Sequence, residues 1–257
     1  MVTWNVWGRY GDWSARLDRI IAELQQAGPD IVCLEEAWTT TEQNQADLVG
    51  EALGLPHRFT CGDWQQQGWV SGAAVCSRWP VRTWERRPLH GEADTAGVAV
   101  YAQIDGPRGI IQLFVVMLDY PLHASHVRQR QVQDLAEFVN GVTSRRHPVV
   151  ICGDFNAGPD SDEVRMLTGR SRPPVPGMVF YDSWEVAGDG GPGFTWSNQN
   201  PLAAAALLPD RRFDYVLSAW PRRGGAGHPT RCELLGVRRP DEPQLSDHYG
   251  VVADLRY

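Results

Sequence analysis

The chain has 257 residues, with 24 basic against 31 acidic side chains, a formal net charge of −7, and 42% hydrophobic and 10% aromatic residues. This is the composition of an ordinary globular protein, and the length suits one large domain over residues 1–257. All 24 basic residues are Arg, which excludes Schiff-base lysines and Walker-type phosphate loops, and an acidic balance argues against holding nucleic acid by charge alone while leaving room for a local basic cleft.

No window approaches the roughly 18 consecutive apolar residues of a membrane span. The opening MVTWNVWGRYGDW has neither the basic stretch nor the apolar run of a signal peptide. The expectation is therefore a soluble, cytoplasmic monomer with no membrane partner. The five cysteines, Cys33, Cys61, Cys76, Cys152 and Cys232, form no C-x-x-C pair, which disfavours a zinc module or a disulfide framework. Cys33, Cys76 and Cys152 lie in apolar runs and read as core thiols.

In chain order, Val2 to Trp7 reads as a short strand, and Trp13, Leu17, Ile20, Ile21 and Leu24 have helical spacing, with Asp12 as N-cap and Gly28-Pro29 as the stop. A buried strand, IVCLEEAW, starts at Ile31 and ends in carboxylates, and a second helix is expected over Thr40 to Leu53. From His57 to Leu118 four or five strand-like runs follow one another between Gly, Pro and Asp turns and predict an antiparallel meander. A third helix over Ser125 to Val142 leads directly into the strand PVVICGDFN, and a short helix starts at Ser161. Gly169 to Pro176 and Gly188 to Ala206 read as loops, before closing strands in RFDYVLSAW, RCELLGV and YGVVADLRY. Many strands with three long helices at intervals predict two packed sheets with helices outside.

Polar residues collect at the ends of the apolar strands, where a sheet protein can present side chains to a cleft without burying their charge. Five places stand out: Asn5 in TWNVW, Glu36 in CLEEAW, Asp154 and Asn156 in CGDFN, Asp214 in RFDYVL, and Asp247 with His248 in LSDHYG. Each alone also fits a structural role, as a buried turn, a strand-to-loop corner or an ion pair with a nearby Arg. Together they suit phosphoester hydrolysis. Glu36 and neighbouring carboxylates are hard oxygen ligands for Mg²⁺ or Mn²⁺. Asp154 and Asn156, two apart on an extended segment, point the same way, so one can activate a water while the other contacts the phosphate. Asp214 could hold the His248 imidazole in one tautomer and favour its cation.

These motifs, in this order over nearly the whole chain, resemble the endonuclease/exonuclease/phosphatase superfamily. TWNVW is similar to its Asn-bearing first strand, LEEAW to its L-Q-E-V metal motif, and GDFNAGPDSDE, RFDYVL and SDHYGVVADL to its G-D-F-N, R-I-D-Y and S-D-H segments. The resemblance implies an α+β fold, a four-layer αββα sandwich of two packed mixed or antiparallel sheets flanked by helices. It further implies a divalent-metal-dependent phosphoesterase using Mg²⁺ or Mn²⁺, with a nucleic acid or a small phosphodiester as substrate. By carry-over, Glu36 is the principal metal ligand, supported by Asn5 and Asp247. Asp154 and Asn156 handle the nucleophile, and His248 with Asp214 contacts the phosphate, so that Asn5 belongs to both the catalytic and the metal set. In the Glu35–Glu36 pair the ligand is the second residue, and strand alternation sends Glu35 to the opposite face with at most a supporting role. The absence of Lys fits a genome rich in G and C, such as an actinobacterial one.

The chain departs from the family at Met117, where a His or Tyr is usual; a thioether can neither bind phosphate as a donor nor protonate a leaving group. Asp119, Tyr120, His123 or His126 could supply that function from the following loop, the two histidines could merely flank the next helix, or the leaving group could need no acid. Arg128 and Gln131 read as organising residues beside the site. Arg128, Trp196, Asn198, His123 and His126 are the candidate substrate contacts, together with Arg212. The run SRWPVRTWERR could be a nucleic-acid surface but reads better as the solvated face of a strand, and GDGGPGFTWSNQNP reads as a substrate-side loop. Two other readings stay open: a phosphomonoesterase of the same fold, and a phosphate-ligand-binding protein weakened in turnover by Met117.

Overall fold

The computed structural model describes residues 1–91, 97–142, 148–219 and 224–257. One sheet has the strand order β11-β12-β1-β2-β4-β3, formed by β1 (Val2–Asn5), β2 (Ile31–Thr39), β3 (His57–Gln66), β4 (Trp69–Ser77), β11 (Pro229–Leu235) and β12 (Gly250–Leu255). The other has the order β5-β6-β7-β8-β10-β9, formed by β5 (Val81–Pro88), β6 (Val98–Gly106), β7 (Gly109–Met117), β8 (Val149–Asp154), β9 (Phe180–Asp182) and β10 (Asp214–Ala219). Both sheets are mixed: β1 pairs parallel with β2 and β7 parallel with β8, while the remaining pairs are antiparallel.

Alternation along the strands builds three apolar layers. Cys33, Val75, Val100, Val115, Val150, Cys152 and Val216 meet between the sheets. Val2, Trp4, Val32 and Leu34 face outward and are covered by Leu17, Ile20 and Leu24 of α1 (Trp13–Ala27) and Val49 of α2 (Gln45–Leu53). Phe114, Val116 and Ile151 on the far face are covered by α3 (Ser125–Val142) and α4 (Asp162–Thr168). This is the expected αββα sandwich. No described helix is long and apolar enough to cross a membrane, and all five cysteines are unpaired.

Several sequence expectations change. The run from His57 to Leu118 is not one meander: β3 pairs with β4 and β4 with β2, and the chain crosses at Ser77–Val81 to start the second sheet with β5. The second helix begins at Gln45 rather than Thr40, because Asn44 is its cap, accepting from the Asp47 N–H at 2.8 Å, while Thr40 closes a turn with Gln43. The stretch Gly188 to Ala206 contains a helical turn, α6 (Pro201–Ala204), and Trp196 bridges to Arg211. Between the two predicted loops, β9 leads straight into α5 (Ser183–Ala187). Trp220, the last residue of the RFDYVLSAW run, lies outside the described residues, as do residues 92–96 of the predicted meander.

Candidate active site

The carboxyl ends of β1, β2 and β8, the start of β10 and the segment before β12 meet at one rim of the sandwich. In the register of β8 with β10, Asp154 lies directly opposite Asp214, and in that of β7 with β8 it lies opposite Met117. Gly153 makes this possible: at φ +130° its backbone passes so close to β7 that a Cβ would stand 2.0 Å from the Val116 carbonyl oxygen.

Glu36 reaches the rim through a local break in its strand. Strict alternation would place it on the Leu34 side, under the helices, but the ladder between β2 and β4 shifts register between Leu34 and Ala37, and Glu36 takes φ +55°. Its carboxylate enters the cleft, while Glu35 turns inward, 1% exposed, and accepts from the Thr3 hydroxyl at 2.8 Å. Burial, with no cation close by, pushes the Glu35 carboxyl well above the ordinary range.

Asn5 ties the floor together. Its Nδ2 donates to Glu36 Oε1 at 3.0 Å and to Asp154 Oδ2 at 3.1 Å, and its Oδ1 accepts from the Trp7 N–H at 3.1 Å. Asp154 Oδ1 accepts from the Asn156 N–H at 2.8 Å, and Asn156, at φ +48°, donates its side-chain amide to the Leu118 carbonyl at 2.9 Å. His248 Nδ1 lies 2.8 Å from Asp214 Oδ2, and its Nε2 lies 3.9 Å from Asp154 Oδ2. The Trp196 ring stands edge-on to the imidazole at 5.0 Å.

The electrostatics follow from this packing. Burial alone would lower the His248 pKa, but Asp214 and then Asp154 outweigh it, and the imidazole titrates well above its ordinary value as a cation. Burial raises Asp154 from 3.8 to about 7; His248 pulls it down and Asp214 pushes it up. Burial also raises Glu36 and Asp247, and Asp247 is the next cause at Glu36: two carboxylates repel each other across the floor. That repulsion is what a hard cation relieves, and an all-oxygen pair suits Mg²⁺ or Mn²⁺. Among the described residues, Asp154, Asp214 and His248 also bring ligand atoms within 4.8 Å of one another. Since His248 Nδ1 is engaged with Asp214 at 2.8 Å and the two carboxylates favour the protonated ring, that trio suits proton handling better than a metal ion.

These groups form the floor of a cavity of about 890 Å³ lined by Glu36, Asp154, Asn156, Trp196, Asp247 and His248, with Met117 to Leu122 along one side. Asn5 and Asp214 stand behind the lining. The other predicted contacts fall elsewhere. Arg128 is buried and spent on Glu163 (2.8 Å) and on the carbonyls of Asp119 and Pro121, so it shapes the loop after Met117 and does not line the cavity. Asn198 is exposed and ties to Asp210 and Leu208, His123 and His126 are exposed and outside the lining, and Arg212 is buried against Asp182. Sequence reasoning missed Trp7, Tyr10, Trp64, Gln66 and Ser71, which also line the cavity. The segment WGRYG, starting two residues after Asn5, with each aromatic followed by a glycine, was the available signal for two of them. It also missed Thr195, whose hydroxyl accepts from the N–H groups of Phe213 (2.9 Å) and Asp214 (3.2 Å).

Residues 2–248 match the model of the Endonuclease/Exonuclease/phosphatase family. The chain belongs to this family. Among curated relatives, the chain is 24% identical to the uncharacterized protein YbhP of Escherichia coli over 92% of this chain and 88% of that one. It is 23% identical over 154 residues to the DNA repair nuclease APEX1 of Danio rerio, covering 58% of this chain and only 47% of the nuclease. Among solved structures, an endonuclease/exonuclease/phosphatase from Beutenbergia cavernae superposes with TM-score 0.75 at 22% identity, covering 99% of this chain and 70% of that one. TDP2 of Danio rerio complexed with a single-strand DNA product gives 0.75 at 18%, over 100% and 98%, and a mannosyl-6-phosphatase of Bacteroides thetaiotaomicron gives 0.72 at 17%, over 100% and 98%. The family's neighbours thus include nucleases and phosphatases on one fold.

Proposed function

We propose that this protein is a divalent-metal-dependent phosphoesterase that hydrolyses a phosphodiester. The observation that carries this reading is the placement of Asp154: Asn5 and the Asn156 N–H fix its two oxygens, the cationic His248–Asp214 pair lies on one side, and the Glu36 carboxylate is joined to it through Asn5 on the other. The relatives named as nucleases and phosphatases support the reaction class.

Glu36 and Asp247 would hold Mg²⁺ or Mn²⁺, with Asn5 bridging Glu36 to Asp154. Such an ion supplies charge neutralisation at the phosphoryl and leaving oxygens. Asp154 orients a water and takes its proton as the water oxygen bonds to phosphorus. The cationic His248, held in one orientation by Asp214, donates from Nε2 to a phosphoryl oxygen as charge grows there. The bond from phosphorus to the leaving oxygen then breaks. Met117 offers that oxygen no proton, which favours leaving groups that depart as stable anions.

The test is hydrolysis of bis(p-nitrophenyl) phosphate and p-nitrophenyl phosphate side by side, with Mg²⁺, Mn²⁺, Ca²⁺ or EDTA. Diester hydrolysis that needs Mg²⁺ or Mn²⁺ and falls by about 10²–10⁴-fold in Asp154→Ala is expected. Preference for the monoester would make the protein a phosphatase. Tight binding of phosphate esters without turnover under any of these ions would favour the second reading that Met117 motivates, a phosphate-ligand-binding protein.

A further inference from the structure

The cavity over the catalytic floor also has an aromatic lining. Trp7, Tyr10, Trp64 and Tyr120 line it, and Trp196 stands edge-on to His248. Three of these expose unusually large rings at the mouth: Tyr10 is 41%, Trp64 38% and Tyr120 71% accessible. Scattered apolar side chains on a surface need no explanation, but a set converging on one concave site is a recognition feature.

The wall is built, not incidental. Arg16, 4% exposed, sends its guanidinium N–H groups to the carbonyls of Val6, Trp7, Gly8 and Tyr10 and to that of Leu245, at 2.8–3.0 Å. This fixes a loop in which Trp7 takes φ +54°. Gly8, at φ +41°, lets the loop lie against Trp69, since a Cβ there would come within 2.4 Å of that ring. The Tyr10 ring then packs between Trp7, at 5.7 Å, and Trp69, edge-on at 5.6 Å. A preorganised aromatic wall loses little entropy when a flat ring stacks on it.

Charge and size narrow the ligand further. The lining holds the carboxylates of Glu36, Asp119, Asp154 and Asp247 and a single basic side chain, His248, with no Arg among the described lining residues. A nucleic-acid strand is gripped by several phosphate contacts from Arg or Lys. Here one phosphate finds a floor, and no Arg among the described lining residues is there to take its neighbours along a strand. A cavity of about 890 Å³ fits a molecule of drug size. An acidic protein with a mouth poor in cations is also poorly suited to an anionic membrane surface.

Resting on the phosphodiesterase reading, we infer that the substrate is a compact phosphodiester bearing a planar ring of the nucleobase or aryl type, stacked on the Trp7–Tyr10–Trp64 wall, and not a nucleic-acid strand or a lipid in a bilayer.

The test keeps the leaving group constant. Methyl, phenyl and thymidine p-nitrophenyl phosphates are compared with Mg²⁺ or Mn²⁺, alongside a long thymidylate strand and phosphatidylcholine vesicles. The phenyl and thymidine esters should exceed the methyl ester by about 10-fold or more in kcat/KM, mainly through KM, as stacking on one ring predicts. Tyr10→Ala and Trp64→Ala should each narrow that ratio several-fold; both rings are partly exposed, so their removal leaves the apolar layers intact. Equal kcat/KM for all three esters that Tyr10→Ala and Trp64→Ala leave unchanged, or a clear preference for the strand or the vesicles, would overturn the inference while leaving the phosphodiesterase reading standing. Should no ester turn over, that reading fails, and calorimetric binding of phenyl phosphate against methyl phosphate still decides this one: equal affinities would sink it, and tighter phenyl phosphate binding lost in Trp64→Ala would support it.

Discussion

Met117 occupies the position in register with Asp154, is 6% exposed and lines the cavity, at the place where the family resemblance leads one to expect a His or Tyr. Its thioether fills the space with apolar volume and no proton. Restoring the proton by Met117→His should therefore speed the hydrolysis of alkyl diesters, whose leaving oxygens are basic, far more than that of p-nitrophenyl diesters, which leave without help. Parallel kcat measurements on dimethyl and bis(p-nitrophenyl) phosphate check this, and an equal change on both would show that position 117 has no part in leaving-group chemistry. Asp214 is the other residue whose effect is indirect. It fixes His248 by one 2.8 Å contact, and its second oxygen is buried without a partner. Asp214→Asn keeps the shape but removes the charge that holds His248 cationic, so kcat should fall by about 10²-fold or more with KM little changed. A pH–rate profile in which the upper limb moves to lower pH would identify the cause as His248 losing its proton.

At the scale of elements, the loop after β7 depends on α3 and α4. Arg128 and Glu163 form a buried ion pair, and the same guanidinium holds the carbonyls of Asp119 and Pro121. Gln131 adds a second tie, accepting from the Asp119 N–H and donating to its carboxylate. Replacing Arg128 by Met leaves the Glu163 charge without its cation in the interior and should cost about 3–5 kcal/mol of stability, read as a lowered denaturation midpoint. Arg128→Met with Glu163→Met should recover much of that loss, although the loop carbonyls stay unpaired. The helices and strands that carry this frame were legible because their apolar spacing is local, and the five motifs were legible because each lies in or directly beside an apolar strand. What the sequence could not show is set by distant contacts. The break that aims Glu36 depends on how β2 pairs with β4, the division of the meander depends on which sheet β5 joins, and the loop carrying Trp7 and Tyr10 is shaped by Arg16 from α1. Arg128, expected both as an organising residue and as a substrate contact, is held by Glu163 against the loop after β7 and does not line the cavity, an arrangement that again depends on distant packing.

For the molecule as a whole, the site is also where the two sheets charge each other. Glu36 and Asp247 come from the side of the first sheet, Asp154 and Asp214 from the second, and Asn5 bridges the two. Burial raises the folded-state pKa of Asp154 from 3.8 to about 7 and moves Glu36 and Asp247 in the same direction. A carboxyl raised in the folded state stabilises the fold fully below its unfolded value and loses that contribution as pH climbs through the folded value. His248, also raised in the folded state, has the same sign: its contribution is complete below the ordinary imidazole range and fades as pH rises through its folded value. The metal-free protein should therefore lose stability between about pH 4 and 7 from Asp154, with His248 extending the loss to higher pH. A divalent cation bound by ionised carboxylates opposes this slope, since it binds the form that high pH produces. Calorimetric scans in EDTA should show Tm falling from about pH 5 to 8, with Asp154→Asn removing the part below about pH 7, and Mg²⁺ or Mn²⁺ should raise Tm more at pH 8 than at pH 5. A Tm gain that is equal at both pH values would mean that the ion does not bind at these carboxylates, and the assignment of Glu36 and Asp247 as its ligands would fall with it.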